Sequence, residues 1–113
     1  MNKILIILIA LPLGMGAQEK QKKNTNVQFT VHGNCEMCEK RIEKAVLSVK
    51  GVKFASWDIP SNQISLIYNP HKVDLATIHK SIASKGHDTS KAKAQEEDFI
   101  KLPKCCQYDR KEH

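Results

Sequence analysis

Two cysteines separated by two residues carry the clearest chemistry in this sequence. Cys35 and Cys38 follow Gly33 and lie just before a segment with helical hydrophobic spacing. Two intervening residues let both sulfurs face one point, and the partial positive charge at a helix N-terminus favours thiolates. Lys40 and Arg41 add positive charge in the first turn. Because soft metal ions select thiolate ligands, the motif predicts a soft-metal site.

Alternating apolar residues predict the strands that support this motif. Val27, Phe29 and Val31 alternate with polar neighbours, which is typical of a half-buried strand. A second strand is predicted from Val52 to Ile59, and a third from Ile64 to Tyr68. The turn between them contains Pro and Asn, as turns commonly do. The residues predicted to pack in the second strand are Phe54, Ala55 and Trp57.

Two helices are predicted between and after these strands. Apolar residues at helical spacing begin at Cys38, and Gly51 is placed to stop this helix. Asp74 can cap a second helix that ends at Gly86. The apolar positions of the two helices are Ile42, Ala45, Val46 and Val49, and Leu75, Ile78 and Ile82. The predicted order is therefore strand, helix, strand, strand, helix.

The last strand of such a sheet is the hardest element to place. The segment from Asp88 to Ala94 is polar and rich in Lys and Ala, so it reads as a poor strand. Ala92 to Leu102 reads better as a short helix with Phe99 and Leu102 turned inward. We therefore expect the last strand at Cys105 to Tyr108.

The N-terminus has the layout of a secretory signal peptide. Lys3 precedes an apolar run from Ile4 to Leu13, and small residues continue through Ala17. A membrane-spanning helix needs about 20 apolar residues, so this run is too short to remain as an anchor. The predicted organisation is a signal peptide at 1–17, a linker at 18–26, a folded domain at 27–110 with an insertion at about 90–103, and a tail at 111–113.

Composition excludes some partners. The formal net charge is +6, but basic and acidic residues are interspersed and aromatic residues make up only 5% of the chain. A nucleic-acid surface needs aromatic side chains interleaved with Lys or Arg, which this chain lacks. We therefore expect no nucleic-acid partner, and no membrane association after signal cleavage.

Three sequence segments together resemble a known family. Val31-His32-Gly33-Asn34-Cys35-Glu36-Met37-Cys38, Ile42-Glu43-Lys44-Ala45 and Val49-Lys50-Gly51-Val52 resemble the heavy-metal-associated domain of copper chaperones and of the periplasmic mercury-binding protein. The resemblance covers about Val27 to His87. It implies a ferredoxin-like βαββαβ fold of the α+β class, with an antiparallel sheet and two helices. It also implies a two-coordinate Cu(I) or Hg(II) site on Cys35 and Cys38, with the ion passed by ligand exchange between docked proteins.

The chain departs from that family in three places. Gly33 stands where relatives usually carry Met, and His87 follows Gly86 where copper chaperones often have an aromatic residue. The stretch from Ser90 onward is an extension that carries Cys105 and Cys106. In this fold the loop before the last strand lies near the metal loop. We therefore hypothesise a third or fourth ligand from Cys105, Cys106 or His87, giving trigonal or tetrahedral binding that could also admit Zn(II).

Other interpretations of the same residues remain open. Four cysteines in an exported protein can form disulfides in three pairings. Cys-x-x-Cys at a strand-to-helix junction also serves thiol–disulfide oxidoreductases, although the aromatic and Pro residues of those enzymes are missing. A structural Zn(II) domain would use all four cysteines. A packing or surface role is expected for Met37, core or cross-strand positions for Trp57 and Tyr68, and a packing role for Tyr108. Surface positions are expected for His32, His71 and His79.

The favoured interpretation is a non-enzymatic, exported metal carrier of the periplasm. It would capture, buffer or deliver Cu(I), while Hg(II), Zn(II) and Cd(II) suit the same ligands. A metal-transporting ATPase or an efflux protein domain is the expected partner. The protein is expected to be a monomer or a metal-bridged dimer.

Overall fold

A computed structural model describes residues 24–111 of the chain. The predicted signal peptide and most of the predicted linker lie outside these residues, and so do residues 112–113 of the predicted tail. Within residues 24–111, no helix is long and apolar enough to cross a bilayer.

Three antiparallel strands form the sheet. They are β1 (Thr25–Thr30), β2 (Val52–Asp58) and β3 (Gln63–Tyr68), in the order β1-β3-β2. The central strand β3 alternates as predicted, so that its buried side chains are Ile64, Leu66 and Tyr68. This alternation directs one face of the sheet toward the helices.

The register of β2 corrects one predicted packing residue. Trp57 is buried and Ala55 packs against the core, but Phe54 is 47% exposed. Successive side chains of a strand point to opposite faces, so Phe54 must face outward when Ala55 and Trp57 face inward. A register shift between Val52 and Phe54 accompanies this arrangement.

The two predicted helices are present. α1 (Glu36–Leu47) buries Ile42, Ala45 and Val46, and Gly51 follows it with a φ of 104°. α2 (Leu75–Ala83) begins after Asp74, whose carboxylate accepts the backbone N–H of Thr77 at 2.9 Å. Hydrophobic spacing and caps therefore identified both helices correctly.

The expected last strand at Cys105 to Tyr108 is wrong. Lys104–Cys106 forms a 3-10 helical turn instead, and the polar segment at 88–90 lies beside β1. The backbone N–H of His32 donates to the carbonyl of Asp88 at 2.9 Å, and that of Ser90 donates to Thr30 at 3.1 Å. A polar segment can occupy this edge because its buried side chains find hydrogen-bond partners within the fold.

Asp88 is the buried group that ties the extension to the sheet. Its side chain is fully buried and forms a salt bridge with Arg110 at 2.8 Å. The same carboxylate accepts the backbone N–H of Ala94 at 2.8 Å. The hydroxyl of Tyr108 accepts the N–H of Asp88 and donates to the carbonyl of Gly86. These contacts hold the C-terminal segment against the domain.

Apolar side chains of the extension complete the core. A short helix, α3 (Glu96–Ile100), lies within the predicted helical segment. Leu102 and Tyr108 are buried, and Phe99 packs partly buried against the same cluster. The inward positions predicted for Phe99 and Leu102 and the packing role of Tyr108 are confirmed.

His79 is buried, which contradicts its expected surface position. Its Nδ1 lies 2.6 Å from the hydroxyl of Thr89, and its ring stacks on Phe29 with centroids 3.9 Å apart. Desolvation by burial lowers the pKa of His79, and the charge of Lys91 lowers it further. The histidine is covered by the segment after α2, which hydrophobic spacing within α2 does not reveal.

Replacement of Arg110 tests the buried salt bridge. In Arg110→Ala the buried carboxylate of Asp88 loses its positively charged partner, so the free energy of unfolding should fall by about 3 kcal/mol. Urea unfolding of the metal-free protein measures this loss. Lys111→Ala removes an exposed neighbouring charge and should leave stability nearly unchanged; equal effects of the two changes would contradict the assigned role.

Candidate metal centre

Cys35 and Cys38 lie together at the N-terminus of α1. Cys35 is the N-cap residue with extended backbone, and Cys38 sits fully buried in the first turn. Their Sγ atoms are 3.5 Å apart. The backbone N–H of Asn34 points at Cys38 and donates to its Sγ at 3.3 Å. The predicted pairing of the two sulfurs at a helix N-terminus is therefore present in the fold.

Gly33 allows the loop to lie against an indole ring. A Cβ atom at Gly33 would lie 3.1 Å from the Cβ of Cys38 and 3.1 Å from the ring of Trp57. The Trp57 indole N–H donates to the carbonyl of Val31 at 2.9 Å, which fixes the ring beneath the loop. Trp57 thus occupies the space beside Gly33.

Asn62 braces the other side of the loop. Its side-chain amide donates to the carbonyl of Gly33 at 3.2 Å and accepts the N–H of Gly33 at 3.4 Å. Its own carbonyl accepts the N–H of Val31 at 2.8 Å. Asn62 has a φ of 60°, a conformation that Asn tolerates well. The sequence indicated a turn at this position but gave no signal of the contact with the metal loop.

The extension brings the other two cysteines to the same place. The Sγ of Cys35 lies 3.8 Å from that of Cys105 and 3.6 Å from that of Cys106. The Sγ atoms of Cys105 and Cys106 are 3.9 Å apart. The side-chain amide of Asn34 donates to the carbonyl of Cys105 at 3.3 Å and links the two segments. All four cysteines are free thiols.

Two further side chains contact the outer sulfurs. The guanidinium of Arg41 donates to the Sγ of Cys106 at 3.2 Å. The thioether sulfur of Met37 lies 3.6 Å from the Sγ of Cys105, and Met37 is 49% exposed. The position of Arg41 in the sequence indicated positive charge near the motif. The contact between Arg41 and Cys106 depends on the fold of the extension.

Cys35, Cys38 and Cys105 differ in how readily they ionise. Desolvation acts to raise the pKa of Cys35, but the backbone N–H of Cys38 and the neighbouring thiols outweigh it and lower the pKa to about 7. Desolvation raises the pKa of Cys38 to about 12. Hydrogen bonding to Cys35 and desolvation raise the pKa of Cys105. Of these three thiols, Cys35 is therefore the one that ionises most readily near neutral pH.

His87 is fully buried, next to His32 and Tyr108. Its Nδ1 lies 2.8 Å from the carbonyl of His32, which requires the proton on Nδ1. Among residues 24–111 its Nε2 has no hydrogen-bond partner. The imidazole stacks on Tyr108 with centroids 5.6 Å apart. The group of mutually close ligand atoms found within the described residues contains Cys35, Cys105 and Cys106 but not His87, whose ligand role stays a prediction.

Because His87 is buried, its protonation makes the stability of the fold depend on pH. Desolvation lowers its pKa from 6.5 to about 4, with a further contribution from the charge of Arg41. Because the folded pKa lies below the unfolded one, the stabilisation is complete above pH 6.5 and is lost as the pH falls toward 4. The shift corresponds to a loss of about 3 kcal/mol.

Comparison of His87→Phe with the unaltered protein tests this pH dependence. The variant loses the bond to His32 and should be less stable at neutral pH by about 1 kcal/mol. Its free energy of unfolding should fall less steeply below pH 6.5, because no buried imidazole has to become charged. His71→Phe, at an exposed histidine, is the control. Parallel pH profiles for His87→Phe and the unaltered protein would contradict this account.

The metal loop and its supporting elements lie within the region shared with known proteins. The profile of the heavy-metal-associated domain matches residues 28–88, more than half of the chain. The copper chaperone CopZ of Staphylococcus haemolyticus (strain JCSC1435) is 28% identical over 64 residues, which are 56% of this chain and 94% of that protein. The extension that carries Cys105 and Cys106 lies beyond the residues matched by the profile.

Solved structures share the architecture. A CopZ metallochaperone is 26% identical with a TM-score of 0.56, over 57% of this chain and 98% of that one. A copper binding domain from HMA7, a P-type ATPase, is 28% identical with a TM-score of 0.56, over 63% of this chain and 96% of that one. The predicted ferredoxin-like α+β fold is confirmed, and the chain belongs to the heavy-metal-associated domain family.

Proposed function

We propose that this protein binds Cu(I) through Cys35 and Cys38 and delivers it to a partner by ligand exchange. The observation that carries the proposal is the pair of sulfurs 3.5 Å apart at the N-terminus of α1. Cu(I) is a soft ion that selects thiolates. The protein acts as a carrier of the ion and catalyses no reaction.

The unequal ionisation of the two thiols suits capture of a cation. Cys35 is half-buried with a pKa of about 7, so its thiolate is available to meet an incoming ion. Cys38 is buried with a pKa of about 12, and it gives up its proton as its sulfur binds the metal. Metal binding thus supplies the positive charge that a buried second thiolate requires.

The accessible position of Cys35 suits delivery of the ion. Cys35 is half-buried, whereas the neighbouring Cys38 is fully buried. An acceptor thiolate can therefore approach the ion from the Cys35 side while Cys38 still holds it. A copper binding domain of a P-type ATPase has the same fold. This similarity supports a metal-transporting ATPase or an efflux protein domain as the acceptor.

The proposed compartment follows from the first residues of the sequence. Lys3, the apolar run from Ile4 to Leu13 and the small residues through Ala17 form a signal-peptide pattern. We place the mature carrier in the periplasm, where its thiols must be kept reduced to bind metal. Mass spectrometry of the protein from that compartment would show a chain beginning after Gly16 or Ala17, and an intact N-terminus would contradict export.

A Cu(I) titration against a competing chelator tests the function. Under anaerobic reducing conditions the protein should take one Cu(I) from bicinchoninate. Cys35→Ser should weaken Cu(I) binding by about a hundredfold or more, equivalent to about 2.8 kcal/mol. A loss of this size is expected because Cys35 supplies the thiolate that meets the incoming ion.

Met37→Leu is the matched control for this titration. It removes a sulfur from the first turn of α1 without removing a thiol, so the affinity should change little. If Cys35→Ser bound Cu(I) as tightly as the unaltered protein, the proposed function would be wrong. Titration with Hg(II) and Zn(II) on the same variants then ranks the metals that the resemblance leaves open.

A further inference from the structure

The spacing of three sulfurs in this structure matches the spacing required around one metal ion. The distances between the Sγ atoms of Cys35, Cys105 and Cys106 are 3.6, 3.8 and 3.9 Å. A tetrahedral ion with metal–sulfur bonds of about 2.3 Å places its sulfur ligands about 3.8 Å apart. Two sulfurs on opposite sides of an ion with such bonds lie about 4.6 Å apart. The three cysteines therefore fit three-coordinate or four-coordinate binding without rearrangement.

From this geometry we propose that Cys105 and Cys106 join Cys35 as ligands, so that the extension holds the ion in a three-sulfur site. The inference rests on the proposed function, because it adds ligands to the ion that Cys35 binds. It concerns residues beyond the segment that matches the family profile, which ends at residue 88.

The extension is held rigidly enough to supply ligands. Its 3-10 turn follows α3 and is tied to the metal loop by the bond from Asn34 to the carbonyl of Cys105. The salt bridge between Arg110 and Asp88 anchors the chain just after the turn. The hydroxyl of Tyr108 adds two hydrogen bonds at the same anchor. Ligands held in place by surrounding contacts lose little entropy when the ion binds.

The surroundings of Cys106 suit a buried sulfur that carries negative charge. Cys106 is fully buried, and a buried thiolate is unstable without a compensating partner. The guanidinium of Arg41 provides that partner at 3.2 Å from its Sγ. Arg41 projects from α1, so the same helix positions both Cys35 and the positive charge.

Cys105 provides the outward side of the site. Its side chain is exposed, and its Sγ is 3.8 Å from that of Cys35. As each sulfur–metal bond forms, a ligand that is a thiol releases its proton to solvent, and the oxidation state of Cu(I) does not change. Release to an acceptor requires replacement of the Cys105 bond first, because Cys105 is the most exposed of the three ligands.

Cys35 belongs to both sets of sulfurs. It lies 3.5 Å from Cys38 and 3.6 Å from Cys106. An ion can therefore change from the three-sulfur site to the pair with Cys38 while its bond to Cys35 persists. The extension would then slow release of the ion until a partner displaces Cys105 and Cys106.

X-ray absorption and chelator competition on the Cu(I)-loaded full-length protein test the proposal. The unaltered protein should show three sulfur neighbours around Cu(I). Cys105→Ser and Cys106→Ser should each reduce the number of sulfur neighbours and weaken binding by about tenfold or more, equivalent to about 1.4 kcal/mol. Release of Cu(I) to excess bicinchoninate should be correspondingly faster in both variants.

The controls separate this inference from the proposed function. Lys104→Gln changes an exposed residue of the same turn without removing sulfur, and it should leave coordination and affinity unchanged. Cys105 is exposed, so Cys105→Ser decides the question even if Cys106→Ser fails to fold. Two sulfur neighbours in the unaltered protein, with full affinity in Cys105→Ser, would overturn the three-sulfur site and leave the Cys35 and Cys38 pair intact. No Cu(I) binding by the unaltered protein would overturn both.

Discussion

The approach of three cysteine sulfurs to the sulfur of Cys35, at the N-terminus of α1, is the constraint on which this structure depends. Cys35 is the centre of that convergence, with the Sγ atoms of Cys38, Cys106 and Cys105 at 3.5, 3.6 and 3.8 Å. One side of the cluster is supported by the sheet, through Trp57 beneath the loop and the amide of Asn62 beside it. The other side is supported by the extension.

Ionisation of several neighbouring thiols is unfavourable unless a cation is bound. Several thiolates cannot share a partly buried site in the absence of positive charge, because each disfavours ionisation of the next. In the metal-free protein the pKa of Cys35 is lowered to about 7, while burial keeps Cys38 protonated. A soft cation bound to such sulfurs would displace thiol protons and supply the missing positive charge. Buried polar contacts, such as the salt bridge between Asp88 and Arg110, hold the cysteines in this arrangement.

Much of the domain could be predicted because its signals are local. Hydrophobic spacing identified β1 to β3 and both long helices, and Asp74 was placed correctly at the start of α2. Gly51 was expected to stop α1, but the helix ends earlier, at Leu47. The Cys35 and Cys38 pair was equally visible, since its meaning depends on a spacing of three residues. Phe54 was placed on the wrong face because an apolar strand residue does not reveal its own register.

The features that were predicted wrongly or missed depend on contacts between residues that are distant in sequence. The polar segment at 88–90 lies at the sheet edge because Asp88 meets Arg110 and Thr89 meets His79, and neither partnership has a local signature. The approach of Cys105 and Cys106 to Cys35 was expected, yet the reason was different: a 3-10 turn places them there and no strand is involved. Gly33 and Asn62 were also missed as supports of the loop, since their roles appear only when Trp57 and the turn are placed in space.

The most direct measurement of the central claim is the rate at which each cysteine reacts with iodoacetamide, followed by mass spectrometry with and without one equivalent of Cu(I). In the reduced, metal-free protein near neutral pH, Cys35 should be alkylated first, since its pKa is lowered to about 7 while that of the exposed Cys105 is raised. One equivalent of Cu(I) should suppress alkylation of Cys35. An unchanged rate at Cys35 in the presence of Cu(I) would contradict the account.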